Sequence, residues 1–264
     1  MTPPRTKHVV RMLFGIPVWA VTQEQALDAA EVAIGRRERL LVGVVNAAKV
    51  VNMRRDARLR QAVLTADMIL ADGAAVVWAA RLLGQRLPER VTGIDLMMGL
   101  LARSDARGYR VFCLGATDAV LASVTQRVAA DYPNVKLVGR RNGYYTPDQE
   151  AAVADEIAAA RADVLFVAMT SPKKEQFLAR WAQHMGVPVC HGVGGAFDVL
   201  AGKVKRAPLA WQTLGLEWLY RVLQEPGRLW RRYLITNTLF CALVLREMAA
   251  RLLGARVPAT GVRT

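Results

Sequence analysis

Short runs of apolar residues alternate along the chain with longer segments in which apolar residues recur every three or four positions. The short runs have the length of buried β-strands, and the longer segments have the periodicity of amphipathic helices. Strands that are apolar throughout and are separated by helices predict a parallel sheet with helices on both faces, an α/β fold of Rossmann-like type. The predicted strands are residues 40–45, 68–71, 110–115, 135–139, 164–169 and 187–194.

The alternation stops near residue 202, and the remaining sequence predicts helices without strands. Pro226-Gly227 divides two helical segments, because proline ends one helix and is tolerated at the start of the next. We therefore predict a core at residues 1–202 and a basic helical appendage at residues 203–264. The longest apolar run of the appendage, residues 233–245, is shorter than the roughly 20 residues of a membrane-spanning helix. It is expected to lie on a membrane without crossing it.

Positive charge is concentrated in the appendage. The formal net charge of the chain is +14, and residues 203–264 hold eleven Lys or Arg against three acidic residues. Such a field attracts polyanions, so nucleic acid, anionic lipid and phosphorylated substrates are all candidate partners. A nucleic-acid-binding protein is thus a second hypothesis, although the basic residues are interleaved with a long apolar stretch rather than with base-stacking aromatic residues.

The cysteines and histidines suggest neither disulfides nor a metal site. Cys113, Cys190 and Cys241 are odd in number and far apart, and no Cys/His spacing matches a zinc site. A reducing cytoplasm fits best, and the N-terminal residues do not resemble a signal peptide. No cofactor is predicted.

Loops that follow the predicted strands are the places to look for a ligand site, since ligands of open parallel sheets bind beyond the carboxyl ends of the strands. Asp72 and Asn46 each follow a strand directly. Asp72 precedes glycine, which is typical of a turn or helix-cap residue, but its carboxylate could also serve as a general base. Asn46 has the same ambiguity, and its amide could bind a sugar hydroxyl. The sequence has neither a GxGxxG dinucleotide motif nor a P-loop.

Two other loops are ambiguous. Lys173 and Lys174 follow Pro172 at a predicted helix start, where they would favour an anion or lie on a solvated face. The GVGG sequence after the last strand would allow close approach of a phosphate or form a plain turn. His191, at the end of that strand, is expected to be structural rather than a ligand-binding residue.

Taken together and in order, the blocks TADMILADGAAVVWAARLLGQRLPERVTGIDL, VFCLGAT, VGRRNGYY, SPKKE, GVGGAFDVLAGKVKRAP and GLEWLYRVLQEPGRLWRRYL resemble the WecG/TagA/CpsF family of bacterial glycosyltransferases. The resemblance extends from about Gly15 to Tyr233. It implies transfer of a sugar from a UDP-sugar to a polyprenyl-diphosphate-linked saccharide, with inversion and without a metal, in envelope polysaccharide synthesis. It also implies a peripheral protein on the cytoplasmic face of the bacterial inner membrane. A homo-oligomer is compatible with the sequence.

The resemblance also implies roles for individual residues. The family places its catalytic base at the aspartate of the Asp-Gly pair, here Asp72, and a pocket asparagine at Asn46. The family's arginines that reach a diphosphate match a set in the appendage: Arg221, Arg228 and Arg231. Tyr144 and Asp198 match positions near the nucleotide, and Lys174 lies in the expected sugar pocket.

Two positions depart from the family pattern. Val44 stands where the family often has threonine, and Lys174 stands where it often has glutamine. Both fall in the expected sugar pocket, so the donor sugar is left open among glucose, N-acetylmannosamine and a uronic acid. An inactive scaffold of a polysaccharide assembly complex is a third hypothesis, against which Asp72 argues.

Overall fold

The computed structural model describes residues 8–253 and 262–263, and of residues 228, 262 and 263 it describes the backbone alone. Within these residues the larger sheet has six parallel strands in the order β4-β3-β8-β7-β5-β6. The α/β fold predicted from the sequence is therefore confirmed. The strands of this sheet are β3 (Leu40–Val45), β4 (Met68–Ala71), β5 (Arg110–Gly115), β6 (Lys136–Arg141), β7 (Val164–Ala168) and β8 (Val189–Gly192).

A smaller antiparallel sheet was not predicted. β1 (His8–Leu13) and β2 (Ile16–Trp19) form a hairpin around Phe14 and Gly15, which both have positive φ. The other edge of β1 pairs with β9 (Val262–Arg263), so the expectation of no strands after residue 202 was wrong. The reason is that β1 leaves an open edge, which a two-residue segment from the end of the chain can pair.

Helices cover both faces of the large sheet, and each face has its own hydrophobic core. One core includes residues of α2, α3, α4, α7, α8 and α12, and the other includes residues of α1, α5, α6 and α9. The helices are α1 (Gln23–Arg36), α2 (Ala47–Arg55), α3 (Ala57–Leu64), α4 (Ala74–Leu82), α5 (Gly93–Arg107), α6 (Asp118–Asp131), α7 (Glu150–Ala159), α8 (Lys173–Met185), α9 (Ala196–Leu200), α10 (Leu209–Thr213), α11 (Glu217–Gln224) and α12 (Pro226–Leu252).

The long C-terminal helix α12 packs along the core. It begins at Pro226, directly after α11 ends, as the Pro-Gly pair predicted. Phe240 and Val244 are buried in the core, and the Phe240 ring meets Phe14 edge to face at 5.5 Å between centroids. Near the helix end, Arg251 donates a hydrogen bond to the Leu83 carbonyl. The appendage is thus tied to the core along one face of this helix.

By length and composition, residues 229–252 of α12 would be able to cross a membrane. The apolar run taken from the sequence, residues 233–245, is shorter because an arginine stands at each of its ends. Only 17% of the most apolar window is buried inside the protein, so much of the helix is exposed. That α12 does not cross a membrane remains a prediction, which its packing against Phe14 and Leu83 supports.

Gly215, in the turn between α10 and α11, lets the appendage approach α4 closely. Its φ is +72°, and a Cβ here would overlap the Cβ of Ala74 and come within 3.3 Å of the Trp78 ring. We expect Gly215→Ala to lower the free energy of unfolding by about 1–3 kcal/mol, because both the backbone and the neighbours are strained. Chemical denaturation and proteolysis of the 201–216 segment would measure this.

Gly227→Ala is the matched control, since a Cβ at that position meets no atom within 4 Å and the φ of Gly227 is not positive. It should be neutral or slightly stabilising, as alanine favours helix over glycine. Equal effects of the two substitutions would contradict close packing of the 215 turn on α4.

Candidate active site

Asp72 and Asn46 lie side by side at the carboxyl edge of the sheet. β3 and β4 pair in parallel, with Val45 opposite Ala71, and the Asp72 amide donates to the Val45 carbonyl at 2.8 Å. Asn46 and Asp72 each follow these paired residues directly, which brings both side chains to the same strand ends. The Asn46 Cβ lies 3.8 Å from where a Cβ on Gly73 would be.

The two residues differ in whether they cap a helix. Asn46 is the N-cap of α2, and its Oδ1 accepts a hydrogen bond from the Lys49 amide at 3.0 Å. The N-cap of α4 is Gly73, with φ of +102°, and no side chain caps that helix. Asp72 therefore does not serve as the helix cap that the sequence alone allowed, and its half-buried carboxylate is available for other chemistry.

Burial raises the pKa of the Asp72 carboxyl above its ordinary value of 3.8. The positive charges of Lys49, Arg221 and Arg90 oppose this rise, and the negative charge of Glu217 adds to it. A carboxylate whose pKa is raised is a stronger base than one in water. Asp72 thus combines a strand-end position with the electrostatics of a general base.

Three charged side chains form a buried cluster close to Asp72. Lys49 Nζ lies 2.8 Å and Lys174 Nζ 2.6 Å from the same oxygen, Oε1 of Glu175. Each of the three side chains is about nine-tenths buried. Burial and the neighbouring Lys49 lower the pKa of Lys174 to about 8, against the opposing effect of Glu175. Burial acts to raise the pKa of Glu175, but the two ammonium groups outweigh it and bring the pKa to about 2.

Lys173 does not lie on the solvated face that was one of the alternatives for the lysine pair. Its Nζ donates to the carbonyls of Gly143 and Tyr145 at 2.9 and 3.2 Å and lies over the Tyr145 ring. Lys174 is buried as well. The alternative in which both lysines lie on a solvated face was therefore wrong. The cause is that α8 begins beneath the loop that follows β6, which covers Lys173.

His191 is structural, as the sequence suggested. It is fully buried, its Nε2 lies 2.9 Å from the Gly93 carbonyl oxygen, and burial lowers its pKa to about 4. The imidazole is therefore neutral at pH 7. It supports the start of α5 beside Val44, whose Cγ2 lies 3.7 Å from where a Cβ on Gly93 would be.

Tyr144 and Asp198 lie farther from Asp72 along the same edge. Tyr144 follows β6, the edge strand opposite β4, although its loop folds back so that the Gly143 amide donates to the Ala116 carbonyl. The Tyr144 side chain is 78% exposed. Asp198 lies in α9 after β8 and is half-buried. The structure shows neither residue bonded to Asp72, so their nucleotide-binding roles remain predictions.

The appendage reaches the site through Glu217 at the start of α11. Glu217 pairs with Arg90, and it lies 3.9 Å from Arg206, which pairs with Asp95 of α5 at 2.6 Å. This network holds α11 over the carboxyl edge of the sheet. Arg221, one turn further along, is close enough for its charge to act on Asp72.

The other two arginines of the predicted set lie in the first turns of α12. Arg231 is exposed on the first turns of α12. The side chain of Arg228 lies outside the part of the chain that the structure describes. Their roles at a diphosphate remain predictions.

Sequence reasoning missed Lys49, Glu175, Arg90 and Glu217 as site residues. Lys49 lies in the first turn of α2, three residues after Asn46, and Glu175 follows Lys174, so both were within the loops already singled out. Nothing in the sequence shows that their helices, which are over a hundred residues apart, place them on one another. Within the described ranges no group of three or more His, Cys, Asp or Glu residues is arranged to hold a metal ion.

Comparison with known proteins agrees with this geometry. Residues 11–253 match the model of the glycosyl transferase WecG/TagA/CpsF family. The chain belongs to the WecG/TagA/CpsF family of glycosyl transferases. It is also 40% identical over 191 residues to the N-acetylglucosaminyldiphosphoundecaprenol N-acetyl-beta-D-mannosaminyltransferase of Bacillus spizizenii, an alignment that covers 72% of this chain and 73% of the relative. The resemblance indicated by the motifs is confirmed, and the chain is a glycosyltransferase.

Proposed function

We propose that this glycosyltransferase moves a sugar from a UDP-sugar to a polyprenyl-diphosphate-linked saccharide, with inversion at the anomeric carbon. The position of Asp72 carries the proposal. Its carboxylate caps no helix, lies beside Asn46 and interacts electrostatically with Arg221. The name of the Bacillus spizizenii relative describes an undecaprenyl-diphosphate-linked acceptor and transfer of N-acetylmannosamine. A polyprenyl-diphosphate acceptor is therefore the acceptor class we propose here.

In the proposed reaction the acceptor hydroxyl attacks the anomeric carbon from the side opposite the UDP group. Asp72 takes the hydroxyl proton as the new glycosidic bond forms, and the bond to the departing UDP breaks with its electron pair. Base catalysis of this kind contributes about 10²- to 10⁴-fold. Attack opposite to the leaving group inverts the anomeric configuration.

The leaving UDP carries negative charge that the site must stabilise. Arg221, held over the sheet edge by the pairing of Glu217 with Arg90, is one source of positive charge, and backbone N–H groups at the helix starts are another. We propose that these groups meet the diphosphate without a metal ion. Arg228 and Arg231 are proposed to contact the donor or the lipid diphosphate from the start of α12.

Transfer assays with a panel of UDP-sugars and a polyprenyl-diphosphate-N-acetylglucosamine acceptor test this function, with the product anomer read by NMR. We expect one donor to give a lipid-linked product of inverted configuration in the presence of a chelator. Retention of configuration, or transfer with nucleotide-free sugar phosphates alone, would overturn the proposal.

The pH dependence of transfer should report the ionisation of Asp72. Since its pKa is raised by burial, activity should fall on acidification at a higher pH than for an ordinary aspartate. Arg221 opposes that rise, so Arg221→Gln should move the acid limb of kcat/KM further up in pH, besides lowering the rate. The pH–rate profiles of the two proteins measure the shift.

Arg58→Gln is the control for this comparison, because Arg58 is an exposed arginine on α3 that does not act on Asp72. It should leave the acid limb where it is. An acid limb that Arg221→Gln leaves unmoved would argue against placing Arg221 near the base.

We also propose that the protein is peripheral at the cytoplasmic face of the membrane that holds the acceptor. On α12, exposed apolar residues form a stripe beside the buried face of Leu229, Phe240 and Val244. The stripe consists of Trp230, Leu234, Leu245 and Leu252. Arginines flank it, and each cation near an anionic surface contributes roughly 1 kcal/mol. A helix with one face in the core and an adjacent exposed stripe of apolar residues suits a position on the surface of a bilayer.

Replacing Trp230 and Leu234 together by alanine should weaken binding to anionic lipid vesicles by about tenfold or more, because two exposed apolar side chains are lost. Vesicle sedimentation at fixed ionic strength measures the binding. Val9→Ala, at an exposed apolar position on β1, is the control and should bind like the parent protein. Undiminished binding of the double variant would refute attachment through this stripe.

A further inference from the structure

The loop that follows β6, residues 142–146, lies directly on the ends of two neighbouring strands. The Gly143 amide donates to the Ala116 carbonyl at 3.1 Å, just after β5. A Cβ on Gly143 would come within 3.0 Å of both Gly115 Cα and Met169 Cγ, at the ends of β5 and β7. The loop therefore leaves the sheet at β6 and folds back over its carboxyl edge.

Lys173 fastens this loop on both sides of Tyr144. Its Nζ donates to the carbonyls of Gly143 and Tyr145, at 2.9 and 3.2 Å, and lies 3.8 Å from the centre of the Tyr145 ring. Gly143 and Tyr145 are buried, and a buried carbonyl needs a hydrogen-bond donor. The Tyr144 amide donates to Oδ1 of Asn142 at 3.1 Å. The backbone before and after Tyr144 is thus fixed, chiefly by one ammonium group.

The position of Lys173 is unfavourable for the helix that carries it. It is the first residue of α8, where the positive end of the helix dipole repels a cation. The contacts with the loop offset this repulsion, because the two carbonyls and the Tyr145 ring all attract an ammonium group. Lys173 therefore stabilises the loop and not the start of its own helix.

The Tyr144 side chain is 78% exposed although its backbone is fixed. An exposed ring on a fixed backbone is a surface on which a planar base can stack without an ordering cost for the loop. The loop lies over β5 and β7, and β7 is three strand spacings from β4, about 14 Å. This distance is comparable to the length of an extended nucleoside diphosphate. A base at Tyr144 therefore leaves the sugar end of the donor near Asp72.

We infer that Lys173 is a positioning residue for the nucleotide of the donor, because it holds the 142–146 loop so that the Tyr144 ring meets the base. The inference rests on the proposed function, since it takes the donor to be a UDP-sugar with its base at Tyr144. The loop carbonyls take two of the three N–H donors of Lys173. Lys173 acts on the nucleotide through Tyr144 and does not contact the substrate itself.

A double-substitution cycle with UDP as the ligand tests the inference. Lys173→Met keeps much of the side-chain length but removes the donors, and it should weaken UDP binding by about tenfold, which is within the range that base stacking contributes. Tyr144→Ala should weaken binding at least as much. The double variant should bind no more weakly than Tyr144→Ala alone, because Lys173 acts through that ring. Titration calorimetry would measure the dissociation constants.

Sugar transfer by the same proteins gives a second measurement. Lys173→Met should raise KM for the donor by about tenfold and change kcat by less than about twofold, since it affects the holding of the base and not the chemistry at Asp72. Lys136→Met is the matched control, because Lys136 is exposed at the start of β6, and it should leave both constants unchanged.

Inorganic pyrophosphate is the second ligand, because it has the diphosphate without the base. Lys173→Met should bind it as well as the parent protein does, which would also show that the variant is folded. An equal loss of pyrophosphate and UDP binding would mean that Lys173 contacts the diphosphate itself and would overturn the inference. Unchanged UDP affinity in Lys173→Met, or additive losses in the double variant, would overturn it as well.

The cycle separates this inference from the proposed reaction. A parent protein that binds UDP with the expected coupling between Lys173 and Tyr144, but transfers no sugar, would support the inference and refute the reaction. Transfer from a UDP-sugar without that coupling would support the reaction and refute the inference. A parent protein that does not bind UDP would refute both.

Discussion

Replacing Asp72 with asparagine should lower the turnover number for sugar transfer by about 10²- to 10⁴-fold. Asparagine keeps the size of the side chain but cannot take the proton of the acceptor hydroxyl. Since Asp72 neither caps α4 nor lies in the hydrophobic core, the fold should be unaffected. Steady-state kinetics with the preferred donor and a lipid-linked acceptor would give the turnover number, and circular dichroism would check the fold.

Asp56→Asn is the matched control, because Asp56 is also an aspartate next to the start of a helix. It caps α3 by accepting a hydrogen bond from the Leu59 amide at 2.9 Å, and asparagine caps helices about as well. Its activity should stay close to that of the parent. If Asp72→Asn also retained full turnover, the base would have to be another group and an inactive or differently catalysed site would be favoured.

Replacing Glu175 with glutamine should cause a large loss of stability, about 3–5 kcal/mol in the free energy of unfolding at pH 7. The substitution removes the one carboxylate that two buried ammonium groups share, and leaves them only the more distant charge of Asp72. Chemical denaturation followed by tryptophan fluorescence would measure the change. Lys174→Gln should cost much less, because Lys49 and Glu175 remain paired.

The difference in stability between the parent protein and Glu175→Gln should depend on pH. The pKa of Glu175 is lowered from 4.5 to about 2 in the folded protein, so its carboxylate stabilises the fold above pH 4.5, and this contribution is lost as pH falls towards 2. The stability difference between the parent and Glu175→Gln should therefore shrink on acidification over this range. A difference that stays constant down to pH 2 would show that the ion pairs are not its source.

The large sheet could be predicted from the sequence because most of its strands are almost entirely apolar. β3, β4 and β5 have the predicted bounds, since each contains an apolar run that ends at a polar residue or a glycine. The hairpin was missed because β1 mixes histidine and arginine with apolar residues, and β2 has only four residues and contains a proline. Its role becomes clear only from the contact of Phe14 with Phe240.

Site residues could be predicted from the sequence where they directly follow a strand. They could not be predicted where they depend on contacts between residues far apart in the chain. Asp72 and Asn46 follow adjacent strands, so a parallel sheet is enough to bring them together. Lys49 meets Glu175 only because α2 and α8 lie on the same face of the sheet. In the same way, the link from Glu217 to Arg90 depends on how the turn at Gly215 packs on α4. The division of the chain near residue 202 remains a prediction, and the packing of α12 shows that the appendage also contributes to the core.

Single-turnover transfer with excess enzyme tests the central claim most directly, because neither substrate binding nor product release limits the observed rate. Purified parent protein and Asp72→Asn would each be saturated with UDP-sugar and mixed with a limiting polyprenyl-diphosphate acceptor. The account predicts that both bind the donor with similar affinity and that the chemical step of the variant is slower by at least about 10²-fold. Equal single-turnover rates would contradict a mechanism in which Asp72 takes the proton of the acceptor.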